Sequence, residues 1–178
     1  MACATSHVNG ATIKTGSPVT AENIDDVLAD VRPDHIAVAS GARYRRDGFQ
    51  GQTGKALPGW ETGHCVTWDE VALDRVKLSG DVLVVDEMAD VAAPLRAVKL
   101  AKLGMRVKLL TKWPMIGWET VAEVYLHWIL TYLYEADVEM VTDHAVKKID
   151  RAEVEIVNIY QPSRAPYHSR RDRYGNVA

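Results

Sequence analysis

Between Asp81 and Leu110 the chain runs strand, helix, glycine, strand, and few folds accept that order. Asp81-Val82-Leu83-Val84-Val85 is an apolar, β-branched run suited to a strand covered on both faces. Val91 to Leu103 has helical character, Gly104 stands where such a helix ends, and Met105-Arg106-Val107-Lys108-Leu109-Leu110 supplies a second strand. Two strands joined by a crossover helix of this length pair in parallel. This is the first crossover of a Rossmann-like lobe, and it commits the region to a layered α/β sheet.

A crossover that holds a dinucleotide opens its helix with GxGxxG, because glycines allow the tight turn and the close approach of pyrophosphate. Here those three positions carry Asp86, Met88 and Val91. Their side chains obstruct a phosphate, and Asp86, Glu87 and Asp90 repel it while complementing the positive end of the helix. The expectation is a degenerate unit that keeps the fold without the nucleotide. An acidic site for a metal or an amine is the functional alternative.

Upstream, Ala21 to Asp30 reads as a short helix, with Thr20 as its N-cap and Pro33 just beyond its end. His35-Ile36-Ala37-Val38-Ala39 lies between Asp34 and Gly41 and reads as a buried strand of a parallel sheet. It ends in the small residues Ala39, Ser40, Gly41 and Ala42. At the carboxyl end of a strand such residues let backbone approach a ligand, although a simple turn uses the same residues. From Arg43 to Trp68 a Gly-rich stretch forms a long connection, expected to be functional or to lie across a neighbouring surface.

Downstream, Glu119 to Glu135 reads as one helix that is apolar most of the way round, expected to be buried between layers or against a partner. Val138–Val141, Ala145–Ile149 and Val154–Tyr160 read as short strands, the last alternating in the antiparallel manner. The tail from Gln161 to Ala178 is polar and rich in arginine. The fold class is thus α/β: a Rossmann-like three-layer lobe and a small antiparallel region, to which the resemblance given below adds part of a second nucleotide-binding lobe. The expected divisions are residues 1–78, which that resemblance makes a partial nucleotide-binding lobe with its long loop, 79–160, the degenerate lobe, and 161–178, the tail.

At 178 residues the chain is long enough for one domain or two small lobes with a proper core. Its 21 Lys and Arg stand against 24 Asp and Glu, a net charge of -3, so no global basic field exists to hold nucleic acid. Cys3 and Cys65 are too few for a disulfide framework, which points to a reducing, cytoplasmic setting. No signal-peptide pattern opens the chain, and the longest apolar stretch, Val121 to Tyr134, is broken by Glu123, His127 and Thr131, so no membrane span is expected. His64 with Cys65, and Cys3 with His7, lack further ligands or an orienting third group at recognisable spacing, so neither a metal site nor a catalytic residue is assigned. His127 is expected at a surface or interface. The tail arginines suit solvent, or an acidic partner.

The run Asp34-His35-Ile36-Ala37-Val38-Ala39-Ser40-Gly41-Ala42-Arg43-Tyr44 resembles the "ATGAR" element of flavoproteins with two dinucleotide-binding domains. It is most similar to the version in the trimethylamine and dimethylamine dehydrogenase branch of the old yellow enzyme-like oxidoreductases. Pro58-Gly59, Thr67 to Val71, the glycine-less Val82 to Leu110 unit with Ala93-Pro94, and Val154 to Tyr160 follow in that family's order, so the resemblance spans roughly residues 11–175. In the family a flavin-bearing barrel, an iron-sulfur cysteine cluster and the glycine-rich half of the adenine-nucleotide lobe come first. The chain is expected to begin after these and to stop before the last strand of that lobe.

The resemblance therefore implies a subunit or split piece of a multi-chain flavin oxidoreductase acting on an amine-like or enoyl-type substrate, with catalysis elsewhere. Ala39, Ser40, Gly41 and Ala42 alone inherit a cofactor-proximal role, toward FAD or ADP shared with a partner chain. FMN and the iron-sulfur cluster fall to that partner, a flavin-bearing catalytic subunit, and an electron-transfer protein is a further implied partner. A noncatalytic scaffold module that binds no nucleotide is the alternative.

Overall fold

Asn9-Gly10 takes positive φ at both residues, the geometry of the tightest hairpin turn, and so folds the N-terminal segment back on itself. The computed structural model describes residues 4–62, 65–150, 153–161 and 176–177, divided into two units, 1–42 and 43–178. In the first unit, β1 (Ala4–Val8) and β2 (Ala11–Thr15) pair antiparallel around that turn, a hairpin the sequence reading missed. The helix α1 (Ile24–Val31) follows. Its cap is Asn23 rather than the expected Thr20: Asn23 Oδ1 accepts the Thr20 amide at 2.8 Å, and the Thr20 carbonyl receives the Ile24 amide. Arg32 in the left-handed region closes the helix before Pro33.

The expected buried strand at 35–39 is not formed. Ile36 is 60% and Val38 84% exposed, and residues 34–42 carry no strand ladder and no backbone–backbone hydrogen bond among the described residues. The run has the composition of a covered strand, but no described strand of this chain lies alongside it to complete its ladder.

In the second unit the long connection folds locally. β3 (Phe49–Gln50) and β4 (Lys55–Ala56) form a small hairpin, a 3₁₀ turn covers Trp60–Thr62, and α2 (Trp68–Ala72) is opened by a Thr67/Glu70 capping box. Then come β5 (Asp81–Asp86), α3 (Ala92–Lys102), β6 (Arg106–Thr111), a 3₁₀ segment (Trp118–Glu123), α4 (Leu126–Glu135), β7 (Glu139–Val141), β8 (His144–Asp150), β9 (Glu153–Asn158) and β10 (Asn176–Val177). The sheet order is β10-β5-β6-β7, all parallel. The end of the tail thus supplies an edge strand, Val177 beside Leu83, where only a polar tail was expected. The tail arginines lie outside the described residues.

Strand alternation sorts the core. Val82, Val84, Val107 and Leu109 face α3 and α4 and pack with Ala97, Leu100, Ile129 and Leu133. Leu83 and Leu110 face the other way, onto Val146, Ile149 and Ile156 of the antiparallel β8–β9 hairpin. Helices, parallel sheet and hairpin make the three layers of a Rossmann-like α/β lobe. Gln50 ties the long connection to the hairpin layer by donating Nε2–H to the Val146 carbonyl at 2.8 Å, and the Pro58 carbonyl accepts the Ile149 amide.

The expected single helix from 119 to 135 is two pieces. Val124 takes a left-handed conformation, which ends the 3₁₀ segment before α4 starts. Only one side of α4 reaches the core, through Ile129 and Leu133, while Val121, Val124, Tyr125, Trp128 and Tyr132 remain exposed. One side of α4 is thus buried against the sheet, and the expected burial of its other side is not found among the described residues.

Candidate functional site

The carboxyl ends of parallel strands are where α/β sheets bind ligands, and here that edge is the turn from β5 into α3. Asp86 is 2% exposed. Its Oδ1 accepts the amides of Met88 at 3.1 Å and Ala89 at 2.8 Å, the donors that a bound phosphate would need. Asp90 Oδ1 accepts the Ala92 amide at 2.8 Å, so a second carboxylate stands just ahead of the first turn of the helix. Ala89 stands at φ +57 and its carbonyl accepts the Glu119 amide, which closes the turn from the other side. In this turn the protein's own carboxylates accept the backbone amides.

Burial pushes the Asp86 carboxyl above the usual carboxylate range, against the opposing pull of the Ala89 and Met88 amides. Its Oδ2 has no hydrogen-bond partner among the described residues. Lys112, following β6, donates to Glu87 Oε2 at 3.0 Å beside Gly51 of the β3–β4 hairpin. Thr111 Oγ1 reaches the Asp86 carbonyl at 3.4 Å. Gln50, Thr111 and Lys112 were not singled out from the sequence. Thr111-Lys112 directly after an apolar strand was a legible signal, but the approach of residues 50–51 was not.

The second candidate, Ala39 to Ala42, lies in the first unit. Gly41 stands at φ +78, and a Cβ built there would meet nothing within 4 Å. With small neighbours on either side, this backbone is open to close approach.

The remaining expectations resolve individually. His7 Nδ1 lies 3.0 Å from Thr12 Oγ1 across the first hairpin, a structural contact. Cys3 and His64 lie outside the described residues. The Cys65 thiol is pushed up by burial, and further by the Glu61 charge, which makes it a poor nucleophile. His127 lies exposed on α4, and its carbonyl accepts the Thr131 hydroxyl. No group of three or more His, Cys, Asp or Glu side chains among the described residues is placed to hold a metal. No helix among them is long and apolar enough to cross a membrane.

No family model matches the chain. Among solved structures it is similar to 6-hydroxypseudooxynicotine amine oxidase from Pseudomonas geniculata N1, with TM-score 0.74 and 24% identity over 90% of this chain and 23% of that one. It is also similar to histamine dehydrogenase from Rhizobium sp. 4-9, with TM-score 0.69 and 25% identity over 78% of this chain and 21% of the other. A weaker likeness, TM-score 0.50 and 15% identity over 69% of this chain and 26% of the other, is to an HOCl-induced flavoprotein disulfide reductase from Escherichia coli. The chain spans between a fifth and about a quarter of these proteins' lengths. In fold it is similar to a stretch of amine-oxidising enzymes of far greater length.

Proposed function

We propose that the chain is a subunit or piece of a multi-chain flavin-dependent oxidoreductase, of the amine-dehydrogenase or enoate-reductase kind, that positions a cofactor and a partner chain and leaves the chemistry to that partner. The observation that carries this reading is the run His35–Ala39: apolar, exposed and without a ladder, it has the character of a strand awaiting its sheet. Its likeness to a fraction of an amine oxidase and a histamine dehydrogenase supports the oxidoreductase part of this reading. In this reading the missing neighbour is a flavin-bearing partner, which supplies the phosphate-binding half of the lobe. FAD or ADP, when bound, brings adenine-nucleotide binding to the joint, and the role of Ala39, Ser40, Gly41 and Ala42 is to let it approach their backbone. FMN and an iron-sulfur cluster reside on the partner, and the assembly is cytoplasmic.

Native mass spectrometry of the lightly tagged chain recovered from its own host tests this. A stoichiometric complex carrying flavin or adenine nucleotide is expected; a bare monomer overturns it. The filled turn at Asp86 favours a second reading, a scaffold that binds no nucleotide anywhere. Gly41→Trp separates the two: it lowers the cofactor content of the complex in the first reading and leaves a pure scaffold unchanged.

A further inference from the structure

The outward side of α3 carries Arg96, Lys99 and Lys102 at intervals of three residues, and each is held against an aromatic ring. The Arg96 guanidinium lies 5.0 Å from the Tyr44 ring centre and 5.3 Å from that of Trp68, and it donates to the Tyr44 hydroxyl. Lys99 Nζ is 5.4 Å from the Trp68 ring, and Lys102 Nζ is 6.0 Å from the Tyr132 ring of α4. Beyond Tyr132, one and two turns back along α4, Trp128 is 62% exposed and Tyr125 is exposed as well. Leu95 and Leu103, adjoining the cations on α3, are exposed too.

The charges on this face form no ion pair among the described residues. Arg45, Arg46, Arg106, Lys108, Lys112, Lys147 and Lys148 of the same unit each meet a carboxylate, while Arg43, Lys55, Arg75 and Lys77 form no ion pair among the described residues. Arg96, Lys99 and Lys102 meet no carboxylate among the described residues, in a chain whose net charge is -3. Stacking holds the cations in place and lowers the entropy lost when they are engaged. Tyr, Trp and Arg are the side chains that dominate binding energy at protein interfaces.

We propose that the outer face of α3 and α4 docks an acidic protein surface, its carboxylates on Arg96, Lys99 and Lys102 and its apolar part on Trp128 and Tyr132. The three cations span about 9 Å of helix, a length matched by carboxylates on successive turns of a partner helix. Nucleic acid is the less suited occupant, because three cations make no extended phosphate track and the chain as a whole is acidic. The inference rests on the second unit alone and is independent of the cofactor role of residues 39–42.

The test is photocrosslinking of the full chain in its own host, with p-benzoylphenylalanine in place of Leu95 and, as control, in place of Tyr160. Position 95 is expected to capture one protein through a peptide containing several carboxylates. The yield should fall about tenfold between low salt and roughly 0.5 M salt, because the steering charges are screened. Poly-L-glutamate should compete, and R96E/K99E/K102E should abolish the adduct. Should that variant fail to fold, K99Q/K102Q keeps the helix and should still weaken capture severalfold. Absence of an adduct, capture of nucleic acid or lipid, an equal adduct at position 160, or an adduct indifferent to salt and charge reversal would each overturn the proposal.

Discussion

Val82 to Val85 and Ile36 to Ala39 are runs of the same character, short, apolar and rich in β-branched residues, yet they meet opposite fates. The first lies in the middle of the parallel sheet, between β6 and the β10 edge, with helices on one face and a hairpin on the other. The second is open to solvent and carries no ladder. Apolar content states what a strand requires of its surroundings. Whether the requirement is met depends on neighbours remote in sequence, and for residues 35–39 those neighbours are not among the described strands.

The largest effects belong to the covered run. Leu83 and Leu109 are fully buried on opposite faces of the sheet, and truncating either to alanine should cost about 2–5 kcal/mol, read from denaturant unfolding. Equal stability in Leu83→Ala and in the parent would break the comparison at its stronger end. Gly59→Ala should come next. Gly59 stands at φ +87, and a Cβ there would fall 1.8 Å from the Ile149 carbonyl oxygen, so the joint between the long connection and β8 must open. The left-handed backbone alone costs about 1–2 kcal/mol for a residue with a side chain, and the clash adds to it.

Asp86 yields a prediction with a sign. Asp86→Ala strips the Met88 and Ala89 amides of their acceptor and should cost about 1–2 kcal/mol. Asp86→Asn keeps that acceptor and removes the buried charge. Because burial raises the carboxyl in the folded protein, the folded state holds the proton more tightly than the unfolded chain. Parent stability therefore falls as pH climbs from the ordinary carboxylate range through the raised folded value. Asp86→Asn should match the parent at the acid end of that window and exceed it above, and pH-dependent melting curves check the crossover. A parent more stable than Asp86→Asn at neutral pH would show that the charge has a partner.

The crossover unit was legible because its signals are local: two apolar runs, a helix of the right length between them and a glycine to end it. Its departure from the glycine pattern was legible too, since Asp86, Met88 and Val91 stand where a phosphate-binding turn carries glycine. The split of the helix at Val124 was not, for no glycine or proline marks it and the left-handed residue is β-branched. Nor were the rings that receive the α3 cations, since Tyr44 and Trp68 come from the long connection and only folding brings them to Arg96. The turn at 39–42 could be found as a motif, but its openness at Gly41 required the backbone.

The smallest effect on the chain alone is expected where the comparison is most telling. Val38→Asp places a charge in an apolar run, a change that would unfold the unit at Val84, yet at a site 84% exposed it should shift stability by no more than about 0.5 kcal/mol. Hydrogen exchange sharpens the point: the amides of 35–39 should exchange at near-unprotected rates while those of 82–85 stay protected. In the assembled state the order should reverse for the exposed run. Slow exchange at 35–39 would then mark the arrival of a neighbouring strand, and Val38→Asp, silent in isolation, should weaken assembly. If the substitution left both the chain and its assembly untouched, the exposed run would be a loop of apolar composition, and the strand-in-waiting interpretation would fail with it.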